Sequence, residues 1–251
     1  MLELKNIALT VDGEKEKLDI LKNVTFTLDE NKIYVITGPN GGGKSSIAKI
    51  IMGIYLPTAG EIFFEGQDIT HLDITQRAKM GIGYAFQNPP RFKGITVREL
   101  LNLASGGKTD LNVCDLLMDV GLCAQDYLER EVNASLSGGE LKRIEIATIL
   151  ARNLKLAVFD EPEAGIDLWS FQRLAETFGK IHEKYQTTIV IISHQERILK
   201  LADEVILIAN GEVSEITTKE KVLADIVRRD ADCLCSQTCE KGVAIDAQCS
   251  R

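Results

Sequence analysis

The residues Gly38-Pro39-Asn40-Gly41-Gly42-Gly43-Lys44-Ser45, with Ser46 next, follow the pattern G-x-x-x-x-G-K-[ST] of a phosphate-binding loop. Glycines let the backbone wrap inward so that successive N–H groups point at phosphate oxygens, and a helix starting near Ser45 adds the partial positive charge of its N-terminus. The chemistry implied is the grip of a nucleoside triphosphate, with Lys44 reaching the β- and γ-phosphates and the Ser45 hydroxyl ligating Mg²⁺. A second group, Asp160-Glu161, closes the apolar run Leu156-Ala157-Val158-Phe159. Asp160 would hold Mg²⁺ through water. Glu161 would lie beside the γ-phosphate and polarise the attacking water as general base, a role commonly worth about 10²–10⁴ in rate. In a third segment, Leu136-Ser137-Gly138-Gly139-Glu140, a serine and two glycines open a helical pattern and offer a second helix N-terminus to a phosphate; alone, it is equally an ordinary serine-capped helix.

These groups need strands that end where they stand. Ile33 to Ile36, Leu156 to Phe159, Ile189 to Ile192 and Val205 to Ile208 are apolar runs without alternation, as expected of parallel strands buried on both faces. Helical spacings separate most of them: Ile47, Ile50 and Ile51; Leu141, Ile144, Ile149 and Leu150; Leu168, Phe171, Leu174, Phe178 and Ile181. An α/β core with helices flanking a mainly parallel sheet follows, and ligands gather at the carboxyl ends of such strands. Before it, Leu2 to Ile7 and Val24 to Leu28 alternate apolar and polar residues, which predicts edge strands around the polar turn Asp12 to Lys17. Between about Ile95 and Val132 the spacing is helical without a central strand and predicts an inserted helical subdomain. Val222, Leu223, Ile226 and Val227 predict a final helix.

The 251 residues suit one large domain with a subdomain, here 1–229, followed by a tail at 230–251. No stretch approaches about 18 uninterrupted apolar residues, and the N-terminus has no signal design, so a cytosolic chain is expected. Acidic residues exceed basic ones, 37 to 29, which argues against a nucleic-acid footprint. Cys114 and Cys123 lie in apolar helical sequence and are expected to be small buried side chains. Cys233, Cys235, Cys239 and Cys249 crowd the tail, whose loose C-x-C-x₃-C spacing leaves a disordered thiol-bearing segment and transient metal or cluster binding both open. His71 and His182 are expected at the surface.

With Leu136-Ser137-Gly138-Gly139-Glu140 read beside the phosphate loop, the chain resembles the ATP-binding-cassette (ABC) ATPases over roughly residues 1 to 217. The resemblance implies a nucleotide-binding domain with a mainly parallel core sheet, an N-terminal antiparallel β subdomain and an inserted helical subdomain, hydrolysing ATP with Mg²⁺. It assigns Gln87 to a loop that senses Mg²⁺ and the γ-phosphate, Asp167 in Ala164-Gly165-Ile166-Asp167 to communication across a dimer, and His194 to a switch touching the γ-phosphate. It implies that a second ABC ATPase protomer completes each site, so that Ser137, Gly138 and Gly139 serve the partner's nucleotide. One departure concerns the base: an aromatic residue often stacks on adenine in this family, and Val11 stands at the comparable position.

Two branches of the family fit. Cassette ATPases usually drive membrane permeases. Phe64 to Ile69, Ala85-Phe86-Gln87-Asn88-Pro89 and His194-Gln195-Glu196-Arg197-Ile198-Leu199 are similar instead to SufC, the Suf-type iron–sulfur assembly ATPase, which acts on a SufB-like soluble scaffold. Leu136 and Pro162 depart from that branch. The expectation is the Suf-like assignment, with a transporter subunit as the alternative. An ATP-gated clamp on nucleic acid fits least, given the acidic balance.

Overall fold

The structure, a computed structural model, describes residues 1–13, 17–106, 112–152 and 154–224. The tail and the cysteines in it lie outside these residues, as do Ile226 and Val227 of the expected final helix; residues 219–224 are helical, with Val222 buried.

Elements are numbered in chain order. Strands β1 (Leu2–Asp12) and β2 (Lys17–Leu28) pair antiparallel, and β4 (Ala59–Phe64) with the short β5 (Gln67–Asp68) completes a four-stranded sheet in the order β2-β1-β4-β5. Leu2, Leu4, Ile7 and Leu9 point inward. The break in strict alternation between Leu4 and Ile7 is a register shift at Asn6, whose φ of 52° is accessible to asparagine at low cost.

The second sheet has the order β10-β9-β3-β8-β7-β6. Strands β3 (Ile33–Thr37), β6 (Ile82–Ala85), β7 (Leu156–Asp160), β8 (Thr188–Ile192) and β9 (Glu204–Ala209) run parallel, and β10 (Glu212–Thr217) folds back on β9. The unbroken apolar runs arise because this sheet is covered twice. Tyr34, Ile36, Val158 and Val190 face the first sheet and helix α1 (Lys44–Met52), while Val35, Phe159 and Ile191 face α6 (Gly138–Ala151) and α7 (Leu168–Tyr185). Helices α3 (Val97–Ala104), α4 (Val113–Asp119) and α5 (Ala124–Tyr127) form the helical insertion, crossed only by an isolated bridge from Thr96 to Glu131 among the described residues. Among the described residues no helix is long and apolar enough to cross a membrane.

Two expectations are corrected. Cys114 and Cys123 are exposed. Helix α4 turns Leu116 and Leu117 to the core, so Cys114 near its start falls on the outer face, and Cys123 sits at the N-terminal cap of the four-residue α5. His182 is half-buried near the C-terminal end of α7, with Nδ1 3.3 Å from the Thr187 carbonyl, whereas His71 is exposed as expected. Short elements β4, β5, α2 (Ile74–Lys79) and α8 (Glu196–Leu199) were not separable from turns by periodicity alone.

Candidate functional site

The phosphate loop leaves the end of β3 and enters α1. Its glycines are required by space as well as by dihedral angle. Gly38 has φ 137°, and a Cβ there would stand 2.0 Å from the Ile208 carbonyl oxygen; Gly43 caps α1 with φ 100°, and a Cβ would meet Leu21 at 2.5 Å. The loop is thus pressed against β9 and β2. It encloses, with Ile20 and Glu161, an open cleft of about 450 Å³ lined from Asn40 to Ser46. Lys44 is only 6% exposed, and its Nζ donates to the carbonyls of Gly38 at 2.8 Å and Pro39 at 2.9 Å. The ammonium therefore lies along the loop it is to serve.

The parallel order β3-β8-β7 brings the ends of distant sequence segments beside this loop. Ser45 Oγ donates to Asp160 Oδ1 at 2.9 Å, and Tyr84 OH, from the end of β6, donates to Asp160 Oδ2 at 2.7 Å. Burial, and then the bond to a carboxylate, push the Tyr84 phenol well above the usual tyrosine range, so it remains a donor at neutral pH. Nothing in the residue pattern marks Tyr84 for this contact beyond its position three residues before Gln87. Gln87 Nε2 donates to Glu161 Oε2 at 2.6 Å. Glu161 has φ 44°, an uncommon angle for a side-chain-bearing residue, and its N–H bonds the Ile192 carbonyl at 3.0 Å. An outlier of this kind at a strand end commonly marks a functional position.

The backbone around Gln87 is held from α6. Lys142 and Glu145 form a buried pair at 3.1 Å; Lys142 Nζ donates to the carbonyl of Phe86 and, at 3.3 Å, to that of Gln87, while Glu145 Oε1 accepts the Phe86 N–H at 2.9 Å. Burial raises the Glu145 carboxyl above its ordinary range, with the Lys142 charge opposing. Nothing in the spacing of Lys142 and Glu145 marked them, since i, i+3 charges on a helix are ordinarily a solvated pair.

Ser137 caps α6 through a capping box with Glu140. Ser137 and Gly138 are exposed, and a Cβ on Gly138 would stand 2.8 Å from the Gly165 carbonyl oxygen, so this helix start abuts the turn leading to Asp167. Neither Ser137, Gly138, Gly139, Asp167 nor the exposed His194 lines the phosphate-loop cleft. The structure therefore brings Lys44, Ser45, Gln87, Asp160 and Glu161 together and leaves the others outside the cleft, Ser137, Gly138, Asp167 and His194 exposed and Gly139 buried.

The donor set suits a hard divalent cation. Ser45 Oγ and the Asp160 carboxylate are oxygen ligands already 2.9 Å apart, and the Gln87 amide nitrogen is committed to Glu161, which leaves its carbonyl oxygen as the ligating atom. Among the described residues no group of three His, Cys, Asp or Glu side chains could hold a metal by itself.

A family described as ABC transporter matches residues 21–164. An uncharacterized ABC transporter ATP-binding protein of Methanocaldococcus jannaschii is 43% identical over 204 residues, 78% of this chain and 81% of the relative. The energy-coupling factor transporter ATP-binding protein EcfA1 of Ureaplasma parvum is 32% identical over 229 residues, 89% of this chain and 76% of the relative. Among solved structures, the dimeric structure of a bacterial ABC transporter cassette superimposes with a TM-score of 0.78 at 25% identity, covering 87% of this chain and 99% of the other.

Proposed function

Since this chain belongs to the ABC transporter family of ATPases, we propose that it works as an ATP-driven closing subunit whose partner is a membrane permease. It binds ATP and hydrolyses it, with Mg²⁺ as the general requirement of the family. The observation that carries the assignment of roles is the pair of hydrogen bonds Ser45–Asp160 and Gln87–Glu161 at the mouth of the phosphate loop.

The loop amides and Lys44 would grip the β- and γ-phosphates. Ser45, Asp160 and Gln87 would hold Mg²⁺, which neutralises charge on the phosphate oxygens. Glu161 would accept a proton from the water whose oxygen attacks the γ-phosphorus; the bond to the bridging oxygen breaks and leaves with ADP. His194 would contact the γ-phosphate. Ser137, Gly138, Gly139 and Asp167, set outside the cleft, would serve the nucleotide of a second protomer, so that ATP joins two copies and hydrolysis releases them.

The permease reading is supported by the relatives described above, which are named as transporter ATP-binding proteins. It places the chain on the cytoplasmic face. A second reading, a Suf-like ATPase acting on a SufB-like scaffold, is favoured by one specific feature: the string His194 to Leu199 places Arg197-Ile198-Leu199 after the switch histidine, with Ile198 and Leu199 forming the buried face of α8. The comparisons described above do not name iron–sulfur assembly, so the permease reading leads. Anaerobic purification of the tagged chain from its own cells separates the two: a co-purifying polytopic membrane protein without iron or sulfide is expected, and a soluble partner carrying both would overturn that expectation.

Val11 is 40% exposed and pairs with Leu18, itself 57% exposed, beyond Ile20 of the cleft. Adenine would lie on this aliphatic hairpin. Val11→Tyr is therefore expected to tighten ATP roughly two- to twelvefold, the worth of a stacking contact of about 0.5–1.5 kcal/mol. Calorimetric titration checks it, and unchanged affinity would place the base elsewhere.

A further inference from the structure

Among the described residues, the one buried side-chain oxygen or nitrogen without a hydrogen-bond partner is Glu163 Oε2. The other oxygen of that carboxyl is engaged: Ser193, fully buried, donates its hydroxyl to Glu163 Oε1 at 2.5 Å. The same hydroxyl oxygen accepts the N–H of Gln195 at 3.1 Å. Glu163 follows Glu161 on the turn leaving β7, and Ser193 and Gln195 flank His194 on the turn leaving β8. The relay Glu163–Ser193–Gln195 thus clasps the histidine-bearing turn from both sides and ties it to the turn that carries Glu161. The backbones below are already joined, through Glu161 N–H to Ile192 and Ser193 N–H to Ile36. What the side chains add is control of the loop beyond the strand end.

Stability does not account for this arrangement. A buried acceptor left without a donor costs about 1–3 kcal/mol, and an apolar residue at position 163 would avoid that cost. We infer that Glu163 is a positioning residue for ATP hydrolysis, holding the turn of His194 in fixed register with Glu161 so that the two groups meet the γ-phosphate together. The inference rests on the roles proposed above for Glu161 and His194. Glu163 does not line the phosphate-loop cleft, so it acts through the turn it holds.

The test is a double-mutant cycle in the full chain with Glu163→Ala, Ser193→Ala and the pair, reading kcat, KM for ATP and thermal midpoint. Each single change is expected to lower kcat about ten- to a hundredfold, as misplacement of a catalytic group does, with KM held within about twofold. The pair should be no worse than the poorer single, since both break one relay. Glu163→Gln keeps an acceptor for the Ser193 hydroxyl and should recover most of the loss; it also carries the test if Glu163→Ala does not fold. Additive losses, an unchanged kcat, or a lowered midpoint with normal kcat would each overturn the inference. Glu161→Gln, measured alongside, separates the two levels. If that variant loses turnover while Glu163→Ala keeps it, only the positioning role fails; if Glu161→Gln keeps turnover, the base assignment fails first.

Discussion

Glu161→Gln is expected to cut ATP turnover by about 10²–10⁴-fold while leaving ATP affinity close to that of the unchanged chain. The amide matches the carboxylate in size. It can occupy the same backbone angle, φ 44°, and its oxygen can still accept from Gln87 Nε2, which now lies 2.6 Å from Glu161. The phosphate loop, Lys44, Ser45 and Asp160 are untouched, so the grip on the triphosphate persists. What the amide cannot do is take the proton of the attacking water. Nucleotide should then stay bound and the two-protomer state should accumulate, visible as a shift to twice the mass by light scattering with ATP and Mg²⁺. Turnover equal to that of the unchanged chain would sink the assignment of Glu161 as base. The geometry leaves room for the base: Gln87 Nε2 engages only Oε2 of Glu161, so Oε1 would remain to accept the proton of the attacking water.

The largest expected loss of stability belongs to Arg77→Met. Arg77 is fully buried, and its guanidinium donates to four backbone carbonyls. Two of these, Ile50 at 2.6 Å and Ile51 at 2.9 Å, belong to the last turn of α1, and the others are Thr70 at 2.9 Å and Leu72 at 3.0 Å. A cation at the C-terminus of a helix faces the negative end of its dipole, and two of the four bonds go to the last turn of α1 while the other two tie in the segment before α2. Burial is felt by the guanidinium, whose pKa falls to about 10, yet it remains charged at neutral pH. Methionine fills much of the same volume and supplies no donor. The Ile50 carbonyl would keep the Gly53 N–H at 3.0 Å, but the Ile51, Thr70 and Leu72 carbonyls would lose the guanidinium, which should cost about 3–5 kcal/mol, in the range of breaking a buried charged contact. For a chain of this size that is a drop of about 10 °C in midpoint, read by calorimetry. Because α1 also carries Lys44 and Ser45, ATP affinity should fall with it. A shift of less than about 2 °C would show that water or a neighbour replaces the guanidinium.

Some parts of this molecule are written locally and others are not. The phosphate loop is a local instruction: each of its glycines answers a φ or a clash within a few residues of sequence or at the facing strand, and Lys44 folds back on carbonyls five and six residues earlier. The buried parallel strands are equally local, because a strand covered on both faces has no polar side to display. The position of the helical insertion and the capping box at Ser137 follow the same logic. Against this, the exposure of Cys114 turned on which face of α4 the core would claim, and periodicity over seven residues does not fix that phase. The bulge at Asn6 likewise depends on two partner strands at once.

By itself the sequence placed this chain among the cassette ATPases and marked the residues proposed to grip the triphosphate, because both rest on backbone conformations and residue types that short segments specify. Only the tertiary structure decided how the groups act on one another. Tyr84 on Asp160, Gln87 on Glu161, Lys142 and Glu145 on the backbone of Phe86 and Gln87, and Glu163 on Ser193 are separated by 30 to 76 residues. Such pairs form because the strand order β3-β8-β7-β6 gathers strand ends that are remote along the chain, and no local propensity encodes a strand order.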